Sequence, residues 1–161
     1  LGHLVVTFAV ESILARHGLS APDGRMLHAY CVTDEEFAAM SAAMADVAAS
    51  GRSAGRIFVL WAAEEIRRNH AFGALTWDFL LDRLGLKRQR EAGKELVVSG
   101  MAFWHRKIRK RASDQKTLYL FSLMAEGGLP DAFLARGSGY AAAVLGAIGQ
   151  IEREAVGLGD I

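Results

Sequence analysis

Apolar residues recur at three- and four-residue steps along most of the chain, a spacing that predicts helix almost everywhere. Residues 2–16 read as a first helix closed at Gly18, and SAPDG at 20–24 has the chemistry of a turn. Thr33-Asp34-Glu35-Glu36 is a capping-box start: the Thr33 hydroxyl can accept the N–H three residues on, and Glu36 can reach back. Phe37, Met40, Met44 and Val47 then line one face until Ser50-Gly51. IFVLWAA at 57–63 is apolar on every side and 64–70 is polar, so a helix over 54–70 should bury its first half and leave its second at the rim. Thr76 can cap a short helix with Trp77, Leu80, Leu81 and Leu84 as its stripe, closed by Gly85.

A long helix is expected over 88–111, with Val97, Met101, Trp104 and Ile108 on one face. The next should restart at Ser113 or Asp114 and run through LYLFSLM, which also fits a strand but has no visible partner strand. Gly127-Gly128-Leu129-Pro130 is a break, with left-handed angles open to the glycines and Leu129 packed under the turn. A short helix around Phe133 and a last one bearing Tyr140, Val144, Ile148, Ile151 and Ala155 complete the pattern. The expected fold is all-α: a compact multi-helix bundle of about seven to eight helices forming a single module over 1–161. Its expected core includes Phe58, Leu60, Trp61, Trp77, Leu80, Met101, Trp104, Leu120, Phe121 and Ile148.

Composition narrows this picture without changing it. A chain of 161 residues can bury a core without staples. A single cysteine, Cys31, points to a reducing, cytoplasmic setting. The best apolar run, residues 140–149, is too short to span a bilayer, and LGHLVVTFAVESILARHG lacks the basic leader of a signal peptide. The first residue is Leu, which suggests a processed chain or a fragment of a larger assembly.

Charge is unevenly placed. The net charge is +1, but residues 1–86 sum to −3, residues 87–116 to +7 and residues 117–161 to −3. On the expected helix, Arg106 and Lys110 are one turn apart, as are Lys107 and Arg111, and Arg109 lies one turn from His105. Lys87, Arg88 and Arg90 sit at its other end, where the helix dipole does not favour cations. Such a helix suits nucleic-acid backbone or an acidic protein surface. A membrane surface fits less well, because a globular core would claim Trp104 and its neighbours. A helix-turn-helix fails: six and nine residues after Gly85, where the second helix should be apolar, stand Glu91 and Lys94.

Other chemistries find little support. The histidines at 3, 17, 28, 70 and 105 form no HExxH, and one cysteine cannot build a Cys-rich zinc site, so neither metal nor cofactor is expected. Glu64, Glu65 and His70 cluster in sequence, but Glu65 and His70 point far apart on a helix, and Glu64 with Arg68 reads as a surface pair. Cys31 and His28 could make a nucleophile–base pair, although Cys31 among apolar neighbours reads first as a small core residue.

Three segments carry a family resemblance: FVLWAAEEIRRNHAFGALTWDFLLDRLGL at 58–86, MAFWHRKIRK at 101–110 and LYLFSLMAEGGLPDAFL at 118–134. In this order they resemble the N-terminal region of a family of large bacterial proteins of unassigned activity, encoded in genomic islands near helicases and phage-defence genes. That family often has two aromatics where this chain has Glu65-Ile66. The resemblance implies a helical module of a bacterial antiviral-defence or mobile-element system and carries over no catalytic residue. The leading expectation is a non-catalytic interaction module that meets nucleic acid or another protein subunit, not a membrane, through Lys87, Arg88, Arg90, Arg106, Lys107, Arg109, Lys110 and Arg111. The alternatives are a helical enzyme domain using Glu64, Glu65 and His70, or Cys31 with His28, and a structural scaffold whose basic block is satisfied internally.

Overall fold

The computed structural model describes residues 2–47, 54–68, 77–87 and 89–129, with side chains from residue 9 onward. These residues form α1 (Gly2–Arg16), a 3-10 turn (Leu27–Tyr30), α2 (Asp34–Val47), α3 (Ala54–Arg68), α4 (Trp77–Arg83), α5 (Arg90–Phe103) and α6 (Tyr119–Glu126). The fold is all-α. Each of the first six expected helices has its counterpart; the two expected beyond Pro130, with Ile148, lie outside the described residues.

The capping box at the head of α2 is formed as expected. Glu36 N–H donates to Thr33 Oγ1 at 3.1 Å, and Thr33 N–H donates to Glu36 Oε2 at 2.8 Å. The Arg16 guanidinium closes on the same carboxylate and ties the end of α1 to the start of α2. Burial works against the charge on Glu36, but its bonds from Arg16 and Thr33 outweigh it and hold the carboxyl below its usual range.

Helix α3 is the centre of the bundle. Every residue from Ala54 to Ile66 except Arg56 is buried, because α2, α5, α6 and the 3-10 turn all pack on it. The core therefore runs further along this helix than its polar second half suggests. Phe58, Leu60, Trp61, Leu80, Met101 and Trp104 are buried as expected, while Trp77, Leu120 and Phe121 are half-buried against the core. The buried indoles keep their polar handle: Trp61 Nε1 donates to Ser41 Oγ at 3.1 Å and Trp104 Nε1 to the Arg56 carbonyl at 2.8 Å.

The broadest helix contact, α3 on α5, is made at backbone level. A Cβ on Gly55 would lie 2.6 Å from the Leu96 carbonyl oxygen and 2.8 Å from Gly100 N; one on Gly100 would run into the Gly55 carbonyl. Neither glycine can carry a Cβ at this crossing, where the Ser99 hydroxyl and a Val59 methyl fill the remaining space.

The long helix expected over 88–111 is cut short: α5 begins at Arg90 and ends at Phe103. Its end is a Schellman motif. Arg106 N–H donates to the Met101 carbonyl at 2.8 Å and His105 N–H to Ala102 at 3.2 Å, with His105 in the left-handed region at φ 56°. The same bonds close α1, α4 and α6, where Gly18, Gly85 and Gly128 supply the positive φ. Histidine in the glycine position concealed the fourth stop.

These contacts set three outcomes. Gly100→Ala should lower stability by about 1–3 kcal/mol in urea unfolding despite alanine's better helix propensity, because the added methyl meets backbone. Gly93→Ala should fall closer to neutral, since its Cβ meets first the end of the Leu81 side chain. His105→Gly should raise stability by roughly 0.5–1 kcal/mol, by relieving a left-handed residue that carries a Cβ.

Candidate functional site

Beyond His105 the basic block leaves the helical path and folds back on itself. Arg111 N–H donates to the Lys116 carbonyl at 2.8 Å, Leu118 N–H to the Arg109 carbonyl at 2.8 Å, and Lys110 bridges to Thr117 in antiparallel sense. Residues 112–115 form the turn, with Gln115 N–H donating to the Arg111 carbonyl and Gln115 in the left-handed region at φ 59°. The Asp114 carboxylate accepts the Lys116 N–H at 3.0 Å. Ser113 and Asp114, expected to start a helix, instead shape this turn: a short polar side chain that bonds nearby backbone serves either end.

The base of the hairpin is fixed to the bundle. Arg106 Nε donates to Glu126 Oε1 at 2.8 Å, and its Nη1 donates to the Gly24 carbonyl at 2.8 Å. Glu126 is 3 % exposed, and its other oxygen accepts the Leu27 N–H at 2.8 Å. One buried carboxylate thus joins α6, the hairpin base and the first residue of the 3-10 turn. Ser122 Oγ adds a second anchor by accepting the Arg109 N–H at 2.8 Å. In the loop before the 3-10 turn, hydrogen bonds from Arg25 hold the Asp23 carboxyl down at about 2, and at the end of that turn burial pushes the Tyr30 hydroxyl up.

The expected contact residues therefore separate. Lys87 is exposed in the turn after α4, and Arg90 is exposed at the start of α5 with Asp78 at 3.6 Å. Arg88 lies outside the described residues. Arg106 is an internal anchor and not a surface contact. Lys107, Lys110 and Arg111 are exposed, and Arg109 is half-buried. The single basic helix is corrected to two groups at opposite ends of α5, about 20 Å apart. The hairpin also adds Lys116, across the ladder from Arg111 and exposed. A helical reading of 113–117 could not pair it with Arg111. The Arg111–Asp114 ion pair, at 3.6 Å with both partners about half exposed, is a weak claim on Arg111.

The enzymatic candidates fall elsewhere. Glu64 and Arg68 pair as expected but not at the surface: Glu64 is 0 % exposed, with Arg67 Nη2 at 2.8 Å and Arg68 Nε at 2.9 Å from Oε2. Arg68 also donates to the Val32 carbonyl at 2.7 Å and to Asp34, which ties α3 to the head of α2. Glu65 is buried too, and His70 lies outside the described residues. Cys31, expected in the core, is exposed, because the 3-10 turn ends on it at φ 50° and rotates its side chain outward between buried Tyr30 and Val32. Gly51-Arg52-Ser53-Ala54-Gly55 has the spacing of a nucleophile elbow, which needs a preceding strand; Ser53 lies outside the described residues, and the nearest described element before it is α2. Among the described residues, no three His, Cys, Asp or Glu are placed to hold a metal ion, and no helix is long and apolar enough to cross a membrane.

Residues 5–129, from α1 to the turn after α6, match the model of the YjiT N-terminal domain. The chain belongs to that family. It is 32% identical over 120 residues to Protein YjiT of Escherichia coli (strain K12), a match that covers 70% of this chain and 23% of that protein. The chain thus spans well under half the length of this longer relative. No solved structure matches. The hairpin and both its anchors lie inside the matched family domain.

The anchor and the exposed cations should respond differently to truncation. Arg106→Ala removes the ion-pair partner of the buried Glu126 carboxylate and should cost about 3 kcal/mol in urea unfolding. Lys107→Ala and Lys110→Ala should each stay within about 0.5 kcal/mol of wild type.

Proposed function

We propose that this domain is a non-catalytic interaction module that holds nucleic-acid backbone through its basic hairpin. One observation carries the reading: Lys107, Lys110, Arg111 and Lys116 are exposed together on a hairpin whose base is held by the ion pair of half-buried Arg106 with the buried Glu126 carboxylate. A solvated charged face does not require such an anchor. Cations on a braced support lose less conformational freedom when they meet phosphates than cations on a loose loop do. The resemblance described above adds that such a module would serve a bacterial defence or mobile-element system as part of a longer protein. Lys87 and Arg90, at the far end of α5, lie outside the primary contact.

The enzyme reading loses its best carboxylate, since Glu64 is engaged by two arginines within its own helix. The scaffold reading accounts well for Arg106 and poorly for the exposed lysines. An acidic protein surface remains the competing partner, and the experiment separates it from nucleic acid.

Binding to a labelled DNA should weaken with salt. Four phosphate contacts predict a slope of about −3.6 in log K against log salt on duplex. A variant carrying Lys107→Glu, Lys110→Glu, Arg111→Glu and Lys116→Glu should keep its helical circular dichroism and lose binding at physiological salt. Equal binding by the variant would remove the hairpin from the contact. Absence of binding by the wild type at low salt would turn the hairpin toward an acidic protein partner.

A further inference from the structure

Resting on that phosphate-binding reading, we infer that the nucleic acid is a B-form DNA duplex and that the hairpin tip enters its major groove. The shape of the hairpin is the first reason. Residues 110–116 are exposed without interruption, and the two strands are held together by the Arg111–Lys116 and Arg109–Leu118 hydrogen bonds. A two-stranded ribbon has its backbones about 4.8 Å apart, and three residues out from the body reach about 10 Å. The major groove of B-form DNA is about 12 Å wide and about 8.5 Å deep and admits such a ribbon, whereas the minor groove is about 6 Å wide and does not.

The distribution of side chains is the second reason. Lys110 and Arg111 are successive on one strand and so project to opposite faces of the ribbon, and Lys116, paired with Arg111 on the other strand, projects to Arg111's face, so both faces of the ribbon carry exposed cations. A groove presents phosphates on both of its walls, and a single strand presents one line of them. Between the cations the tip carries only the short or polar residues Ala112, Ser113, Asp114 and Gln115. Its one acid is restrained, since Asp114 accepts the Lys116 N–H and faces Arg111.

The third reason is what the hairpin lacks. Residues 106–118 contain no Phe, Tyr or Trp, and proteins that hold single strands use aromatic rings as stacking platforms for bases. Phe103, just before the hairpin, packs edge-on against Trp104 and under Arg56. Duplex RNA fits no better, because the major groove of A-form helices is too deep and narrow for side chains to read.

The test measures binding of the 161-residue chain at low salt to a mixed-sequence 20-base-pair DNA duplex, to each of its strands, and to an RNA duplex of the same sequence. Dimethyl sulfate, which methylates guanine N7 in the major groove, reports groove occupancy. The DNA duplex should bind at least ten-fold tighter than the other three, and saturation should suppress N7 methylation. A variant with residues 112–115 replaced by Asn-Gly keeps every cation and shortens the tip. It should bind the single strands as the wild type does and lose both the duplex preference and the N7 protection. Equal affinity for the strands or the RNA duplex, or undiminished methylation on bound duplex, overturns the groove inference and leaves phosphate binding standing. Absence of binding to all four overturns both.

Discussion

The backbone contact between Gly55 and Gly100 is the constraint on which the rest of the described structure depends. It sets α5 against α3 closer than a Cβ on either glycine would allow. That approach brings Trp104 within reach of the Arg56 carbonyl, one residue beyond Gly55, and buries the indole against Tyr30 at 4.9 Å between ring centroids. With Trp104 fixed there, the chain turns over His105 instead of continuing as helix. The basic segment is thereby delivered to the surface as a hairpin and not as the flank of a long helix. Helix packing at one crossing thus decides the form in which the charge is presented.

Two buried carboxylates complete the framework, each satisfied by arginine. Glu64 is held by Arg67 and Arg68 from its own helix, and Arg68 extends the network to α2. Glu126 is held by Arg106 from the hairpin base and by the Leu27 N–H. A charged group taken out of water is costly unless it is paired and hydrogen-bonded, and both are. Their value here is positional: each fixes where an otherwise independent segment must sit. The hairpin owes its orientation to the second of them, so one member of the basic block is spent on holding the remainder in place.

The elements legible in the sequence were those governed by local chemistry. The Thr33–Glu36 box, the glycine stops at 18, 85 and 128, and the apolar stripes of α2 and α4 depend on residues within a few positions of each other and appear where their patterns place them, whereas the stripe expected on α5 holds at Val97, Met101 and Trp104 and loses Ile108 beyond the helix end. Leu129 packs under the turn after α6 for the same reason. The stop at His105 was hidden because nothing local distinguishes it from a helical residue. Left-handed backbone at a histidine carries a Cβ cost that glycine avoids, and here the residues on either side, Trp104 and Arg106, are both held by tertiary contacts. Glu64 read as a surface residue because helical spacing reveals its arginine partners but not the helices that cover it.

The sequence by itself determined that the domain is helical, that its core is built on the aromatic run of α3 and on Trp104, and that positive charge is concentrated between residues 87 and 116. Periodicity and composition are sums over neighbours, so they survive without knowledge of the fold. Only the tertiary structure decided which of those charges are anchors and which are offered to solvent. Arg106 and Lys107 are adjacent in sequence, yet one lies on a buried carboxylate and the other faces water. That difference is set by a glutamate twenty positions away and by a helix that ends eight residues early, neither of which local spacing encodes.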